Sequence, residues 1–435
     1  MTSKVSRRRF LQTTATGAAA AAFTYVPRSA FGANERVNVA HIGVTNQGEY
    51  NVREIARNSG LANIVALCDV DQTRLAKTAA SHPSAQKFDD YRKMFDAIEK
   101  QIDAVVIAIP DHHHAFATLA GLRRGKHVYC EKPLTHDPHE CRTVIETAAK
   151  AKVATQMGTQ IHAGGNYRRV VELIQSGAIG AVKRVHVFVG GSYTGTEAPK
   201  EPPMDLAKLN WEMWLGPAPK RAYDPALHPF YWRGWWNYGT GMLGDMACHH
   251  IDLSHWALGL THPDTIEAEG PPPNEQTAAA WMKVHFRYPA RGDKPPVHLT
   301  WYHGGKLPEE LEDGKIPKIG NGTLFVGEKG MLLADYNQRR LYPADDYKDF
   351  QAPPPSIPES VGHHREFLLA CQTGSPTLCN FAYSGPLAET VLLGNVAYRS
   401  GKKLEWDETT KSLKNASDPD VAKYFGREYS KGWVL

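Results

Sequence analysis

The sequence lacks the features that mark several protein classes. None of its six cysteines stands in a CxxC pair, so neither a zinc site nor a redox dithiol is indicated. The charge is nearly balanced, with 50 basic and 46 acidic residues and a net charge of +4. No long basic run and no internal repeat occurs. We therefore expect free, buried thiols, no metal site and no nucleic-acid partner.

Long apolar runs are also missing, since a membrane span needs about 20 such residues. The N-terminus instead reads SRRRFL at residues 6–11, followed by an alanine-rich, weakly apolar stretch and small residues at 30–33. This order is typical of a twin-arginine export signal; the alternative is a disordered basic N-terminus. We predict a signal over residues 1–33 and a periplasmic location.

Two patterns follow one another along the 435 residues. From residue 34 to 158, strands and helices alternate, which predicts a doubly wound parallel sheet. From residue 159 to 435, alternating strands dominate, which predicts an α+β domain with a large, mostly antiparallel open sheet. We expect C-terminal helices to pack back on the first domain. The strongest predicted strands lie at residues 37–42, 104–109, 127–130 and 182–189, and the strongest helices at 49–58, 138–151 and 386–399.

A glycine-rich turn follows the first predicted strand. It reads GVTNQG at residues 43–48 and fits GxGxxG except at Thr45. Gly43 would make the tight turn, Gly48 would allow close helix packing, and the helix N-terminus would face a pyrophosphate. Asp69, 21 residues after Gly48, would accept the ribose hydroxyls and repel a 2′-phosphate. NAD is therefore favoured over NADP; a chance glycine turn is the alternative.

Two more motifs follow predicted strands, at the sheet edge where ligands bind. Residues 110–114 read PDHHH, but adjacent histidines point in different directions and no partner ligands stand at metal-site spacing. We expect His114 near the cofactor and the other two as surface or packing residues. Residues 131–133 read EKP, which places Lys132 where nicotinamide and substrate would meet.

Asp245 and His249 are four residues apart in GMLGDMACHHID, residues 241–252. A helix would place them on one face, where the aspartate could hold the imidazole in one tautomer for acid–base work. The alternative is a structural histidine. Just before them, residues 211–238 hold half of the ten tryptophans. We favour a sugar-lined cleft there over a packed satellite core.

Taken together, these residues and the NVA motif at 395–397 resemble the Gfo/Idh/MocA family of oxidoreductases, which includes glucose–fructose oxidoreductase and inositol dehydrogenase. Thr45, Thr240 and Ala247 depart from the glycines usual there. The resemblance implies a Rossmann domain followed by an open sheet that often forms an oligomer interface. It also implies that Lys132 and His249 are catalytic, supported by Asp245.

The predicted site has a cofactor part and a substrate part. The cofactor residues are Gly43, Thr45, Asn46, Gly48, Asp69, Pro110, Asp111, His114, Glu131 and Gln160. The substrate residues are His162, Tyr167, His228, Trp232, Arg233, Trp235 and His250.

The predicted activity is NAD-dependent oxidation of a CH–OH group in a sugar, cyclitol or glycoside. One of His249 and Lys132 would take the hydroxyl proton while the other stabilises the alkoxide. Because no NAD pool exists outside the cytoplasm, we expect a tightly held cofactor and redox-closed turnover. The alternatives are glycoside hydrolysis through transient oxidation, and a non-catalytic sugar-binding protein. We expect a homo-oligomer, either a dimer or a tetramer.

Overall fold

The structure is a computed structural model that describes residues 36–196, 204–314 and 316–435. The predicted export signal over residues 1–33 lies outside the described residues. Within that described part of the chain, no helix combines the length and the apolar character that crossing a bilayer requires. All six cysteines carry free thiols and are buried.

The first domain is built on a six-stranded sheet in the order β3-β2-β1-β4-β5-β6, and every neighbouring pair is parallel. Strand β4, at the centre of this sheet, is apolar along its whole length, as expected of a strand whose two faces are both covered by helices. The strands are β1 Val37–Ile42, β2 Ala62–Cys68, β3 Gln86–Phe88, β4 Ala104–Ile107, β5 His127–Cys130 and β6 Thr155–Met157. The helices are α1 Gln47–Arg57, α2 Gln72–Ala79, α3 Tyr91–Ile98, α4 Asp111–Leu122 and α5 Pro138–Ala151.

Three of the five helices in this domain start with ordinary capping chemistry. Asp71, Asp90 and Asp137 each accept backbone N–H bonds at the start of a helix, and Pro138 occupies the first turn of α5. Helices α1 and α4 differ because Asn46 and Pro110, at their N-caps, make no side-chain cap hydrogen bond. In the first turn of α1 the Gly48 N–H bonds the Thr45 carbonyl at 2.8 Å, and no side chain caps the turn.

The second domain holds a nine-stranded sheet in the order β13-β12-β11-β7-β10-β9-β8-β14-β15. Its pairs are antiparallel except β7 with β10. The longer strands are β7 Val182–Val189, β8 Thr265–Glu269, β9 Met282–Tyr288, β10 Val297–His303 and β11 Asn321–Gly327. The shorter ones are β12 Met331–Ala334, β13 Arg339–Tyr342, β14 Leu404–Asp407 and β15 Ser412–Leu413.

Helices cover one face of this sheet and connect it to the first domain. Val284, Phe286, Leu299 and Trp301 alternate inward along β9 and β10 and are fully buried. Helices α8 and α11 pack together over this face, while α10 contacts α1 and β1, and α11 also contacts α5. These helices are α6 Gly165–Gln175, α7 Trp211–Leu215, α8 Gly241–Leu258, α9 Glu309–Glu312, α10 His363–Thr373, α11 Phe381–Ser400 and α12 Pro419–Phe425.

The predicted fold class is confirmed: a doubly wound parallel sheet is followed by a domain with a large, mostly antiparallel sheet. Four predicted elements have the observed bounds, namely those at residues 37–42, 127–130, 138–151 and 182–189. The strand predicted at 104–109 ends two residues earlier, at Ile107, because Pro110 caps the start of α4.

Candidate active site

A cavity of about 260 Å³ lies between the two domains. On one side it is lined by the carboxyl ends of the first sheet's strands. On the other side it is lined by the aromatic segment over residues 211–238 and by helix α8. Lys132, at the end of β5, and His249, on α8, both line it. The two groups predicted to act on substrate therefore share one cavity.

Lys132 is anchored to the helix that carries His249. Its Nζ donates to Oδ1 of Asp245 at 2.7 Å and to the Asp245 backbone carbonyl at 2.8 Å. Both side chains are largely buried. Burial alone would raise the pKa of Asp245, but the Lys132 and Arg233 cations hold that pKa well below its usual range. The carboxylate is thus fully charged and positions the ammonium.

The sequence-based expectation that Asp245 holds the His249 ring is not met. Asp245 faces Lys132, and Nδ1 of His249 is buried without a hydrogen-bond partner in the described residues. Two residues four apart lie on one face of a helix, but the Asp245 carboxylate pairs with the Lys132 ammonium, which is the stronger charge partner. Burial, and then the Lys132 cation, hold the pKa of His249 well below its usual range. A lowered pKa favours the neutral imidazole, which has a lone pair for a proton, but it also makes His249 a weaker base.

The glycine-rich turn has the close packing that its pattern predicts. A Cβ on Gly43 would lie 2.1 Å from the Ala108 carbonyl oxygen, and one on Gly48 would lie 2.3 Å from that of Gly43. Thr45 and Asn46 line the cavity, whereas Gly48 lies beneath it. With the uncapped start of α1 beside them, these residues form a turn suited to a pyrophosphate.

Asp69 follows β2 and lines the cavity. Its Oδ2 accepts the Val44 N–H at 3.0 Å, and its Oδ1 accepts the Asp71 N–H at 3.0 Å. Burial raises the pKa of Asp69, although these two backbone bonds oppose the shift. The held carboxylate fits ribose hydroxyls and would repel a 2′-phosphate.

Glu131 has one satisfied oxygen and one free oxygen. Its Oε1 accepts from Asn51 at 2.9 Å, from Gln160 at 2.8 Å and from Gln47 at 3.1 Å. Its Oε2 is buried without a hydrogen-bond partner in the described residues. This oxygen packs against Gly158, on which a Cβ would collide with it, and Glu131 as a whole lines the cavity. Gln160 does not line the cavity and instead holds Glu131 from behind.

His114 and Asp111 lie at the same edge, at the start of α4. His114 Nδ1 and Nε2 lie 2.6 and 2.7 Å from the Pro133 and Ile109 carbonyl oxygens. Since both nitrogens face acceptors, both carry protons. Burial opposes this charge, but Cys130, Asp111 and the Pro133 carbonyl outweigh burial and raise the pKa of His114 to about 10.

The other two histidines of this run have packing roles. His112 Nε2 and His113 Nε2 both lie within hydrogen-bond distance of the Trp214 carbonyl oxygen, at 2.9 and 3.1 Å. Pro110, Asp111 and His113 line the cavity with His114. Burial raises the pKa of Asp111 to about 6, opposed by the His114 charge and by the Thr240 hydroxyl.

The aromatic segment divides between cavity wall and packed core. Arg233 stacks on the rings of Phe230 and Trp232, 4.5 and 4.3 Å from their centres, and lies 3.7 Å from Asp245. A buried cluster holds most of the rest, including Trp214 and Tyr238, with Trp211 and Trp235 packed against it. The segment is thus partly packed core and partly cavity wall, and the sugar-lined cleft stays a prediction. The lining members are Met213, Trp214, His228, Pro229, Phe230, Trp232 and Arg233.

Four predicted substrate residues lie outside the cavity lining. The His162 ring is bonded to Asp252 at 2.8 Å and stacked on Trp256 at 3.9 Å. The other three are also held by internal contacts. His250 Nε2 bonds the Tyr336 hydroxyl at 2.9 Å, and the Tyr167 hydroxyl donates to the His249 carbonyl at 3.2 Å. The ring of Trp235 lies under the guanidinium of Arg221.

Sequence reasoning missed Tyr193, which lines the cavity from the loop after β7. Burial raises the pKa of its phenol, and the nearby Asp245 carboxylate raises it further. Tyr193 stays protonated and can donate a hydrogen bond into the site. Its one sequence signal is its place just after the end of a predicted strand. Across the described ranges, no group of three or more His, Cys, Asp or Glu side chains could hold a metal ion.

A parallel sheet with a glycine turn, an acidic residue after β2, and a lysine and a histidine in one cavity are the features of a two-domain, NAD-binding protein. Two family models match the chain: the NAD-binding Rossmann fold of the oxidoreductase family over residues 37–159, and its C-terminal alpha/beta domain over residues 166–294. The chain belongs to the Gfo/Idh/MocA oxidoreductase family, and its cofactor is NAD.

Curated relatives include inositol 2-dehydrogenases. That of Salmonella typhimurium is 28% identical over 161 residues, which are 37% of this chain and 46% of that protein. That of Rhodococcus erythropolis is 34% identical over 155 residues, or 35% of this chain and 44% of that protein. The matched segment therefore spans less than half the length of these relatives.

Solved structures share the fold across most of the chain. The WlbA dehydrogenase of Bordetella pertussis, in complex with NADH and UDP-GlcNAcA, has a TM-score of 0.62 and 17% identity, covering 86% of this chain and 99% of its own. A levoglucosan dehydrogenase in complex with NADH has a TM-score of 0.60 and 17% identity, and the match covers 85% of this chain and 99% of that chain. An aldose–aldose oxidoreductase of Caulobacter crescentus has a TM-score of 0.58 and 15% identity, and the match covers 85% of this chain and 100% of that chain.

Proposed function

We propose that this protein oxidises a CH–OH group of a sugar, cyclitol or glycoside, using NAD. The observation that carries the proposal is that the Lys132–Asp245 pair and a neutral His249 line one cavity with Asp69. The inositol, levoglucosan and aldose enzymes among its relatives and structural neighbours all act on polyhydroxylated molecules by name.

The cofactor contacts in this proposal come from the first domain. The turn at Gly43 and the start of α1 would hold the pyrophosphate, and Asp69 would hold one ribose. When bound, NAD supplies the hydride acceptor. Its nicotinamide would lie at the ends of β4 and β5, beside Lys132.

The chain's own groups handle the proton and the charge of the hydroxyl. His249 is neutral and takes the hydroxyl proton as general base. The Lys132 ammonium stabilises the negative charge that develops on the same oxygen, and Asp245 holds that ammonium in place. A positioned general base is worth about 10²–10⁴-fold in rate. The exchange of the two roles, with Lys132 as the base, stays an alternative.

Substrate recognition would fall to the opposite wall. Trp232 and Phe230 offer apolar ring faces for the C–H side of a sugar, while Arg233, His228 and Tyr193 offer hydrogen bonds to hydroxyls. Arg233 is stacked between two rings, which limits its movement. This wall is therefore preorganised for a polyhydroxylated ring.

We further propose that turnover is redox-closed, with NAD carried out of the cytoplasm inside the folded protein. The test is to purify the exported protein, add no NAD, and supply sugars, cyclitols and glycosides. Paired oxidation of one substrate and reduction of another supports the proposal. Aglycone release without net oxidation would instead assign glycoside hydrolysis by transient oxidation. Binding without turnover, unchanged in Lys132→Met, would assign a non-catalytic sugar-binding role.

Export itself is a proposal that rests on the SRRRFL motif. Replacing Arg7 and Arg8 together by lysine should move the full chain from the periplasmic to the cytoplasmic fraction. An unchanged distribution would contradict export by the twin-arginine route. We also propose a homo-oligomer through the sheet of the second domain, and light scattering after size exclusion would measure its mass. A monomer at working concentration would contradict this.

A further inference from the structure

A second cavity, of about 230 Å³, lies apart from the cofactor cavity. Its walls come from the start of α5, the loop before α8, helix α11 and the chain segment over residues 423–428. It is nearly as large as the first cavity, and the two share no lining residue. Nothing in the proposed oxidation uses it.

The cavity contains a guanidinium without an anion. Arg399 lies 4.2 Å from the ring centre of Tyr424 and 4.9 Å from that of Trp236. In the described part of the chain, no carboxylate lies within ion-pair distance of it. The neighbouring Arg427, in contrast, is paired with Glu140 at 2.6 Å and Asp137 at 3.5 Å. The nearby Glu275 carboxylate acts on Arg399 electrostatically but is bonded to Lys423 at 3.0 Å and Tyr424 at 3.2 Å, so within the described ranges the Arg399 guanidinium has no ion-pair partner of its own.

A buried polar atom without a partner belongs to the same cavity wall. Asn395 is 8% exposed, and its Oδ1 has no hydrogen-bond partner among the described residues, although its Nδ2 donates to the Thr240 carbonyl at 2.8 Å. The His136 ring in the same wall faces the Trp236 and Gly239 backbone carbonyls, so it is not counted as free. Buried polar groups are normally satisfied, so the Asn395 oxygen indicates a ligand with a hydrogen-bond donor.

We propose that this cavity binds a small hydroxy-carboxylate, such as a sugar acid. The planar fork of Arg399 matches a carboxylate in a bidentate pair. The unpaired Asn395 oxygen requires a donor, which a hydroxyl supplies and a carboxylate does not. A ligand with one carboxylate and a neighbouring hydroxyl satisfies Arg399 and Asn395 together.

The site adjoins the turn that starts helix α8. Thr240 accepts from Asn395 through its carbonyl and donates from its hydroxyl to Asp111 at 2.7 Å, and Asp111 lines the cofactor cavity. The NAD-loaded full chain is therefore the right sample, because an empty cofactor cavity could disturb this turn.

The experiment is calorimetric titration of the NAD-loaded protein with D-gluconate, and separately with acetate and inorganic phosphate. One gluconate should bind, with acetate and phosphate at least about tenfold weaker because neither offers a carboxylate and hydroxyls together. Arg399→Gln and Asn395→Ala should each weaken gluconate binding at least about tenfold. Arg340→Gln, which makes the same change on the edge strand β13, should leave binding unaltered, and so should Lys132→Met in the first cavity.

Several results would overturn the assignment. These are no gluconate binding by the wild type, unchanged binding by Arg399→Gln, or phosphate binding as tight as gluconate. Loss of binding in Lys132→Met alone would place gluconate in the cofactor cavity instead. If Arg399→Gln does not fold, Arg399→Lys keeps the charge and stem but loses the planar fork, and it should still weaken gluconate binding. Retained full affinity in that variant would contradict the bidentate pair.

Discussion

The ammonium nitrogen of Lys132 lies 2.7 Å from Oδ1 of Asp245 and 2.8 Å from the carbonyl oxygen of the same residue. One side chain from the end of β5 thus contacts the N-terminal half of α8 twice. The first domain supplies the cation and the second domain supplies its anchor. Because His249 lies one helical turn further along α8, this pair also sets the position of the imidazole relative to the cofactor site.

Replacing Lys132 by methionine should abolish turnover without releasing NAD. The variant removes the charge that stabilises the developing alkoxide, and kcat should fall by about 10²-fold or more. NAD content, measured after denaturation, should match the wild type, because the pyrophosphate and ribose contacts come from other residues. Lys150→Met, on the exposed side of α5, is the matched control and should retain full activity. Equal loss of NAD and activity would argue for a structural role.

Asp245→Asn should destabilise the protein, because it leaves the Lys132 ammonium without its carboxylate. Breaking a buried pair by removing one partner costs about 3–5 kcal/mol. The pKa of Asp245 is lowered on folding, so its contribution is full above its unfolded pKa of about 3.9 and is lost as the pH falls towards the folded value. Urea unfolding of both proteins at neutral and acidic pH should therefore show a smaller difference at the acidic pH. A difference independent of pH would contradict the charged pair.

His249 should remain neutral across the physiological pH range. Burial and the Lys132 cation both lower the pKa of His249. The decrease of kcat/KM at acidic pH should therefore not have its midpoint near pH 6.5, the ordinary histidine value. In Lys132→Met the cation is gone, and the His249 pKa should rise while burial keeps it below 6.5. Imidazole nitrogen shifts in a pH series by NMR measure this directly. An unchanged His249 pKa in Lys132→Met would show that the Lys132 charge does not act on the His249 ring.

Thr240→Val should remove the hydroxyl that donates to Asp111 at 2.7 Å. This bond lowers the Asp111 pKa, which burial has raised to about 6. A carboxyl group whose pKa is raised on folding stabilises the folded state below its unfolded-state pKa of about 3.9. This stabilisation is lost as the pH rises through the folded-state pKa. The variant should thus be less stable by about 1–3 kcal/mol at neutral pH, with a smaller deficit near pH 5. Thermal unfolding at both pH values, with Thr143→Val on the exposed side of α5 as control, tests this sign.

Asp69→Asn should weaken the discrimination against NADP. The amide oxygen can still accept one of the two backbone N–H bonds, but the charge that repels a 2′-phosphate is gone. The ratio of the Kd values for NADP and NAD should fall by about tenfold. Asp96→Asn, on the exposed side of α3, should leave the ratio unchanged. A ratio that Asp69→Asn does not move would place the ribose elsewhere.

Much of the fold was predictable because local signals agreed with the final packing. Strand β5 and helix α5 have the bounds that their sequences predicted, since an apolar run was followed by an Asp137-Pro138 helix start. Helix α4 carried no such pattern, because its run of three histidines is buried on all sides and lacks a polar face. The short edge strands β13 and β15 exist only through pairing with their neighbours, which no local signal reports.

The site was predictable where the motif itself determines the geometry, as at Gly43, Asp69 and Lys132. It was not predictable where partners are distant in sequence. Asp245 pairs with Lys132 across 113 residues rather than with His249 four residues away. His162 likewise bonds Asp252 across 90 residues and is removed from the cavity. Such choices depend on which charges the tertiary fold brings together, and the spacing within one helix does not determine them.

The most direct test of the proposed chemistry follows an isotope from substrate to cofactor. NAD-loaded protein is mixed with one sugar or cyclitol at a time, deuterated at its carbinol carbons, and quenched within a single turnover, before a second substrate can take the hydride from the cofactor. The released nucleotide is then analysed by mass spectrometry. The wild type should yield singly deuterated NADH with at least one substrate class, while Lys132→Met, with NAD bound, should yield none on the same timescale. Absence of label from the wild type across the panel, or equal transfer in Lys132→Met, would contradict a hydride transfer governed by Lys132 and His249.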